Sequence, residues 1–389
     1  MTGSGMRILV ASVLLAGMTA AKKAEAFQVY DSIWVLGDSL SDDGNLFRNC
    51  TGGTEPPADL GYREGRFSDG ELWVEHLAAN SGLDTGDADE YVNFAYGGAY
   101  ASLFNRGIPV DNSEPVTCSG ETGVLAQAAE ASVSGIGKEG LVTLLVGAND
   151  YFAWLQAGDP SIRAPMRCME EGISPFDEDG DVSPAQVAAC TALVVGDIAD
   201  AISQIHAGGV RHFIVGNLPH LGDTPGGRGQ GEAAASLLNG ITDAHNAALA
   251  VAVEELRSRL DDVRITLLDL STLFTALLEN PDDYGFVNTT VPCLAPGSAG
   301  GRVATGACVE GSSNGTLFFD SIHPTARAHE LTAVYAAGTL AADAVLSGFI
   351  RDRQSEINRF ALRILGSYVR LGGLPLHLLL RRWGFERKG

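Results

Sequence analysis

The sequence predicts an α/β domain built around a parallel sheet. Three observations carry that expectation. Short apolar runs alternate with stretches of helical periodicity. Most of these runs are continuously apolar, the pattern of strands covered on both faces. Four of the five runs end in small or polar groups, at the strand end where open parallel sheets hold their ligands.

The elements follow in order. A first strand over residues 32–36 runs into "GDS", and a helix is expected over 70–79. A second strand, 91–94, leads into "AYGGA", followed by a helix over 123–133. A third, 141–146, ends in "GAND", followed by a helix over 184–206. A fourth, 212–216, opens into "GNLPHLGDTP", followed by a helix over 231–260. A fifth covers 265–268. The last expected helix, 325–346, begins after Pro324, a normal helix-start residue. Two excursions rich in Pro, Gly and small polar residues, 158–183 and 280–313, interrupt this alternation. No internal repeat is visible.

The two ends differ from the body. Residues 1–26 read as an export signal: Arg7, the apolar stretch "ILVASVLLAGMTAA", then Ala24-Glu25-Ala26 as a small-x-small cleavage site. The alternative is a retained membrane anchor, for which the apolar run is short. The body is expected over 27–349 and a basic extension over 350–389. Residues 1–26 carry +2 and residues 350–389 carry +6, which leaves −30 of the net −22 on 27–349. Such a body repels nucleic acid, which is excluded as a partner.

The extension places Ile357, Phe360, Ala361, Ile364, Leu365 and Tyr368 at helical spacing, with Arg359, Arg363 and Arg370 between them. Two placements stand open: on a membrane surface, or against the acidic body. The six cysteines make disulfides the expectation in an exported chain. Cys293 with Cys308, Cys168 with Cys190 and Cys50 with Cys118 are the candidate pairs by nearness. Fifteen connectivities remain formally open. No pair has the spacing of a zinc site, and no metal or cofactor is expected.

The strand ends carry the chemistry. Ser39 sits in "VLGDSLSDDGNLF", directly after the first strand. A serine is a poor nucleophile unless a base, usually an oriented histidine, takes its proton. His323, in "FFDSIHPTARAHE", has Asp320 three residues before it. Taken alone, one Asp-x-x-His is a common accident. Acyl transfer also needs donors for an oxyanion. The backbone N–H of Ser39, the glycines in "NFAYGGA" and Asn149 in "GAND" are candidates. Each also has a plain structural role, as tight packing or as a helix cap. Together, at successive strand ends, they form a set. His76 and His206 fall within helical stretches as ordinary residues, and His220 follows the fourth strand near the expected pocket. Asp38, Asp42 and Asp43 are expected to brace the turn around Ser39 through backbone N–H groups rather than bind a metal.

With these blocks the chain resembles the GDSL, or SGNH, serine esterases and lipases. "GDSLSDDGN", "NFAYGGA", "GAND" and "DSIHPT" match the four blocks that carry Ser, Gly, Asn and His. "GRFSDGELWVEHLA" and "NLPHLGDTP" look like longer segments of the lipase-type branch, which includes plant lipases and bacterial secreted lipases and haemolysins. The resemblance covers residues 33–346. It implies a three-layer α/β/α sandwich with a five-stranded parallel sheet. It implies Ser39 as nucleophile, His323 as base and Asp320 as the residue orienting His323. Gly98 and Asn149 would join the Ser39 N–H in the oxyanion hole. The expected activity is secreted, cofactor-independent hydrolysis of small-molecule or lipid esters by a monomer, with peripheral membrane contact through the extension left open. Phospholipase or acyltransferase activity and carbohydrate deacetylation stand as alternatives on the same site. A non-catalytic binding protein of this fold is the rival from another class.

Overall fold

The computed structural model describes residues 30–106, 121–156, 166–176, 182–297, 301–308, 315–346, 354–370 and 372–373. Residues 1–26, where an export signal is expected, and Cys118 lie outside the described residues. Five strands form one parallel sheet: β1 Ile33–Gly37, β2 Tyr91–Asn93, β3 Leu141–Leu145, β4 His212–Gly216 and β5 Arg264–Leu268. Their spatial order is β2-β1-β3-β4-β5, with Ile33 opposite both Tyr91 and Leu141. Every residue of β1 and β3 is buried. That explains the unbroken apolar runs, since no strand face is left to water.

Helices cover both faces. The main ones are α1 Trp73–Ser81, α2 Val124–Val133, α3 Ala148–Leu155, α4 Pro184–Ala207, α5 Glu232–Arg259, α6 Leu270–Glu279, α7 Ala326–Leu346 and α8 Gln354–Arg370. The chain moves from β1 to β2 in one direction, then crosses to β3 and continues the other way. Right-handed crossovers therefore put α1 on one face and α2, α4 and α5 on the other. Contacts agree: α2, α4 and α5 pack in succession, while α7 returns to pack on α1. The result is the expected α/β/α sandwich.

Local chemistry sets the boundaries. Ser183 accepts from the Gln186 N–H at 3.2 Å, the Gln186 side chain accepts from the Ser183 N–H at 3.0 Å, and Pro184 opens α4. Helix α1 starts at Trp73, three residues later than predicted, where Glu75 accepts the Leu72 N–H at 2.9 Å. Helices α3 and α6 are not predicted by the sequence. Helix α6 follows β5 without a glycine or proline to mark the change, and Asp269 caps it by accepting the Thr272 N–H at 3.0 Å.

Two disulfides are described. Cys168–Cys190 ties the loop before α4 to that helix, and Cys293–Cys308 closes a hairpin of β6 Leu294–Pro296 and β7 Arg302–Ala304. The expected Cys50–Cys118 pair falls on Cys118 and so lies outside the described residues. Helix α8 lies along α7 and buries Ala361, Ile364, Leu365 and Tyr368. Tyr368 donates to Glu330 at 2.7 Å and Asn358 to Asp269 at 2.6 Å. Its arginines Arg359, Arg363 and Arg370 stay exposed or nearly so. Burying Ile364 and Leu365 stabilises this arrangement by about 1.5–3 kcal/mol each.

Candidate active site

The site forms where the strand order reverses, at the carboxyl ends of β1 and β3. Strand β1 stops at Gly37, whose φ of +150° and close approach to Leu145 O leave no room for a Cβ. Gln127 locks this residue from both sides, accepting its N–H at 2.8 Å and donating to its carbonyl at 2.9 Å. The next two residues are Asp38 and Ser39.

The aspartates brace the turn. Asp38 accepts the Leu40 N–H at 3.0 Å through its side chain, and its carbonyl accepts from Ser41 and Asp42. Asp42 is saturated: Gly44, Asn45 and Leu46 donate backbone N–H groups to it, and Gly97 donates from the neighbouring loop at 2.7 Å. That last bond ties the Ser39 turn to the loop after β2. Burial pushes both carboxyls up to about 6, against the pull of these donors. Asp43 instead pairs with Arg48 at 3.0 Å.

Asp320 and His323 arrive from the turn that precedes α7. The turn is closed by the Phe319 N–H to His323 carbonyl bond, 2.8 Å. Asp320 Oδ1 accepts the backbone N–H groups of Ile322 at 2.9 Å and His323 at 2.8 Å. Its Oδ2 lies 2.8 Å from His323 Nδ1 and accepts the Tyr62 hydroxyl at 2.6 Å. Burial alone would raise this carboxyl. The charge and hydrogen bond of His323, with the Tyr62 and backbone donors, outweigh it and hold Asp320 well below the usual carboxylate range. A carboxylate at Nδ1 requires the proton on Nδ1. The Nε2 lone pair then faces Ser39 Oγ, 2.8 Å away. The Phe67 ring lies against the imidazole, centroids 5.1 Å apart.

The donors sit on either side. Because β1 lies between β2 and β3, the residues after the three strands place Gly98, Ser39 and Asn149 side by side. Gly98 holds a left-handed φ of +81°. Among the described residues no hydrogen bond engages the N–H of Ser39 or Gly98, whereas that of Gly97 is taken by Asp42. Asn149 lies in the first turn of α3, its amide 3.3 Å from Ala99 O and 3.5 Å from Asp38 Oδ2. Beside the Ser39–His323 pair runs a mainly apolar cleft, lined by Leu40, Leu270, Phe274, Leu278, Phe318 and Ile322. His220 borders it and pairs with Asp243 at 2.9 Å. His76 faces Glu71 and His206 meets Asp261 O, both away from this cluster.

The structure thus gathers Ser39, Gly98, Asn149, Asp320 and His323 into one place. Tyr62, Phe67 and Gln127 were not legible as parts of it. Phe67 falls within the segment "GRFSDGELWVEHLA", but nothing there marks it as facing His323. No local pattern marks Tyr62 or Gln127, and Tyr62 lies 258 residues from its partner.

Comparison with known proteins identifies the family. The family described as GDSL-like Lipase/Acylhydrolase matches residues 33–335. A GDSL lipase of Tanacetum cinerariifolium is 25% identical over 350 residues, covering 82% of this chain and 86% of that protein. A GDSL esterase/lipase of Arabidopsis thaliana is 24% identical, over 82% and 89%. A phosphatidylcholine-sterol acyltransferase of Aeromonas hydrophila is 26% identical, over 72% and 71%. With the family match spanning most of its length, the chain belongs to the GDSL-like lipase/acylhydrolases and is an ester-bond hydrolase.

Proposed function

We propose that the protein is a secreted carboxylic ester hydrolase that works through an acyl-enzyme on Ser39. The observation that carries this reading is the 2.8 Å approach of Ser39 Oγ to His323 Nε2, with Asp320 on the other ring nitrogen. Ser39 Oγ attacks the ester carbonyl carbon while its proton passes to His323 Nε2. The carbonyl oxygen becomes an oxyanion and accepts from the Ser39 N–H, the Gly98 N–H and the Asn149 amide. The C–O bond to the alcohol breaks, and His323 returns the proton to the leaving oxygen. Water, deprotonated by His323, then attacks the acyl carbon and frees Ser39. Asp320 keeps the ring in the tautomer this cycle needs and stabilises the imidazolium that forms.

The small apolar cleft lined by Leu40 and Ile322, the chain neighbours of Ser39 and His323, suits a short acyl chain or the first part of a longer one. Similarity over most of its length to a phosphatidylcholine-sterol acyltransferase favours one second reading, in which an alcohol replaces water at the last step.

A fluorophosphonate probe tests the nucleophile. Wild type is expected to label and Ser39→Ala to remain unlabelled at the same folded concentration. Folded wild type that takes up no probe would sink the proposal. Nitrophenyl esters of graded chain length and phosphatidylcholine, with and without a sterol, then separate hydrolysis from transfer.

A further inference from the structure

We infer that Tyr62 is a positioning residue for the Asp320–His323 pair, held on its target by the disulfide-closed hairpin; this rests on the serine-hydrolase reading above. Asp320 Oδ2 accepts two bonds at once, from the Tyr62 hydroxyl at 2.6 Å and from His323 Nδ1 at 2.8 Å. Tyr62 therefore shares the oxygen that orients the base. Its side chain is buried, and its ring stands edge-on to Phe319 at 4.9 Å and to Phe67 at 6.4 Å. Phe67 in turn lies on the His323 ring. The phenol thus touches the carboxylate directly and the imidazole through one intervening ring.

What keeps Tyr62 there comes from a distant stretch of chain. The Arg302 guanidinium lies 5.2 Å above the Tyr62 ring. Arg302 begins β7 of the hairpin closed by Cys293–Cys308. The same hairpin is anchored beside the site, because the N–H groups of Cys293 and Leu294 donate to the carbonyls of Phe318 and Phe319. Arg302 also reaches Glu55 at 3.5 Å. One tied loop therefore grips both the segment that carries Asp320 and the ring that donates to it. A cation over the ring also makes the phenol a stronger donor.

The consequence concerns the base. Asp320 shares its negative charge among Tyr62, two backbone N–H groups and His323. Removing the phenol leaves more of that charge for the imidazolium, so His323 holds its proton more tightly. Among the described residues Asp38 and His329 also lie within electrostatic reach of His323, and no hydrogen bond joins either to Tyr62.

The test is Tyr62→Phe, which keeps the ring and removes only the hydroxyl. Without the hydroxyl the Asp320 carboxylate is free to turn away from His323 Nδ1. That loss of positioning, which outweighs the greater charge on Asp320, predicts kcat lower by about tenfold. KM should stay within about twofold, since Tyr62 does not face the cleft. The acid limb of kcat/KM should move to higher pH by roughly half a unit. Arg302→Met keeps the phenol and should give a smaller shift in the same direction. Unchanged kcat and acid limb in Tyr62→Phe would overturn the proposal. So would a loss of rate with no shift of the limb, the outcome of general loosening. If Tyr62→Phe does not fold, Arg302→Met with wild-type rate and limb overturns it instead. Hydrolysis that persists in Ser39→Ala would defeat the underlying reading, whatever Tyr62→Phe does.

Discussion

Replacing Asp320 with Asn preserves the shape of the side chain and removes its charge. The backbone N–H groups of Ile322 and His323 both point at Oδ1 and demand an acceptor there. The amide oxygen must take that place, which turns the NH2 toward His323 Nδ1 and the Tyr62 hydroxyl. Nδ1 then has to accept, so the ring proton moves to Nε2 and meets Ser39 Oγ as a donor. An imidazole in that tautomer takes no proton from a serine. The missing charge adds to this. At about 4 Å and an effective dielectric of about 20, a unit charge stabilises the imidazolium by ~4 kcal/mol. That alone is a factor of about 10³ in rate. With the tautomer reversed as well, kcat should fall by about 10³ to 10⁴. Steady-state hydrolysis of a nitrophenyl ester measures it, with calorimetry to show that the variant is folded. A folded Asp320→Asn within about tenfold of wild-type kcat refutes this reasoning.

Other predictions follow from the same geometry. Asn149→Ala removes one oxyanion donor and should lower kcat by about 10² to 10³ with little change in KM; equal losses in binding a ground-state ester analogue would contradict that role. In the apolar cleft each added methylene should raise kcat/KM by up to about fourfold until the cleft is filled, and Leu278→Trp should abolish the gain for long chains while sparing short ones. Stability should fall as pH rises from about 4 to 6.5. Burial raises Asp38, Asp42 and Asp197 to about 6, so each favours the fold below its unfolded value and loses that contribution as pH rises through its folded value. Buried Asp150, raised further, acts in the same sense. Burial lowers His245 and His329 to about 3, and these two act oppositely in the same window. Burial also raises Asp43 and Asp343 and lowers His212, and six carboxyls outweigh three imidazoles, so Tm should be higher at pH 4.5 than at pH 6.5; a rise in Tm over that interval would contradict the balance.

Much of this molecule was readable from its residues. Predicted and observed strands differ by at most one residue at either end, because a strand buried on both faces leaves an unmistakable apolar run. Ser39, Asp320 and His323 were readable because their neighbours are local: turn glycines, bracing aspartates, a carboxylate three residues from a histidine. Helix α3 was hidden because "GAND" reads as the end of the third strand, with a helix cap as the plain alternative, although the helix's first turn carries Asn149. Helix α6 was hidden because no punctuation separates it from β5. Tyr62 and Gln127 could not be found at all. Each acts through one contact with a residue 90 or more positions away, and only the closed sheet brings those pairs together.

The place of β1 has a consequence for how the activity arises. Among the described strands β1 is the first to be synthesised, yet it lies inside the sheet and needs β2 and β3 on its two edges. Ser39 is therefore made early on an element whose second edge stays unpaired until more than a hundred further residues have followed. His323, the base of the proposed mechanism, follows 284 residues downstream, and α7 must then dock on α1 to bring the two together. A partly made chain thus carries a serine without a base. On the proposed mechanism catalysis begins only when α7 has docked, so the first turnover reports a closed fold.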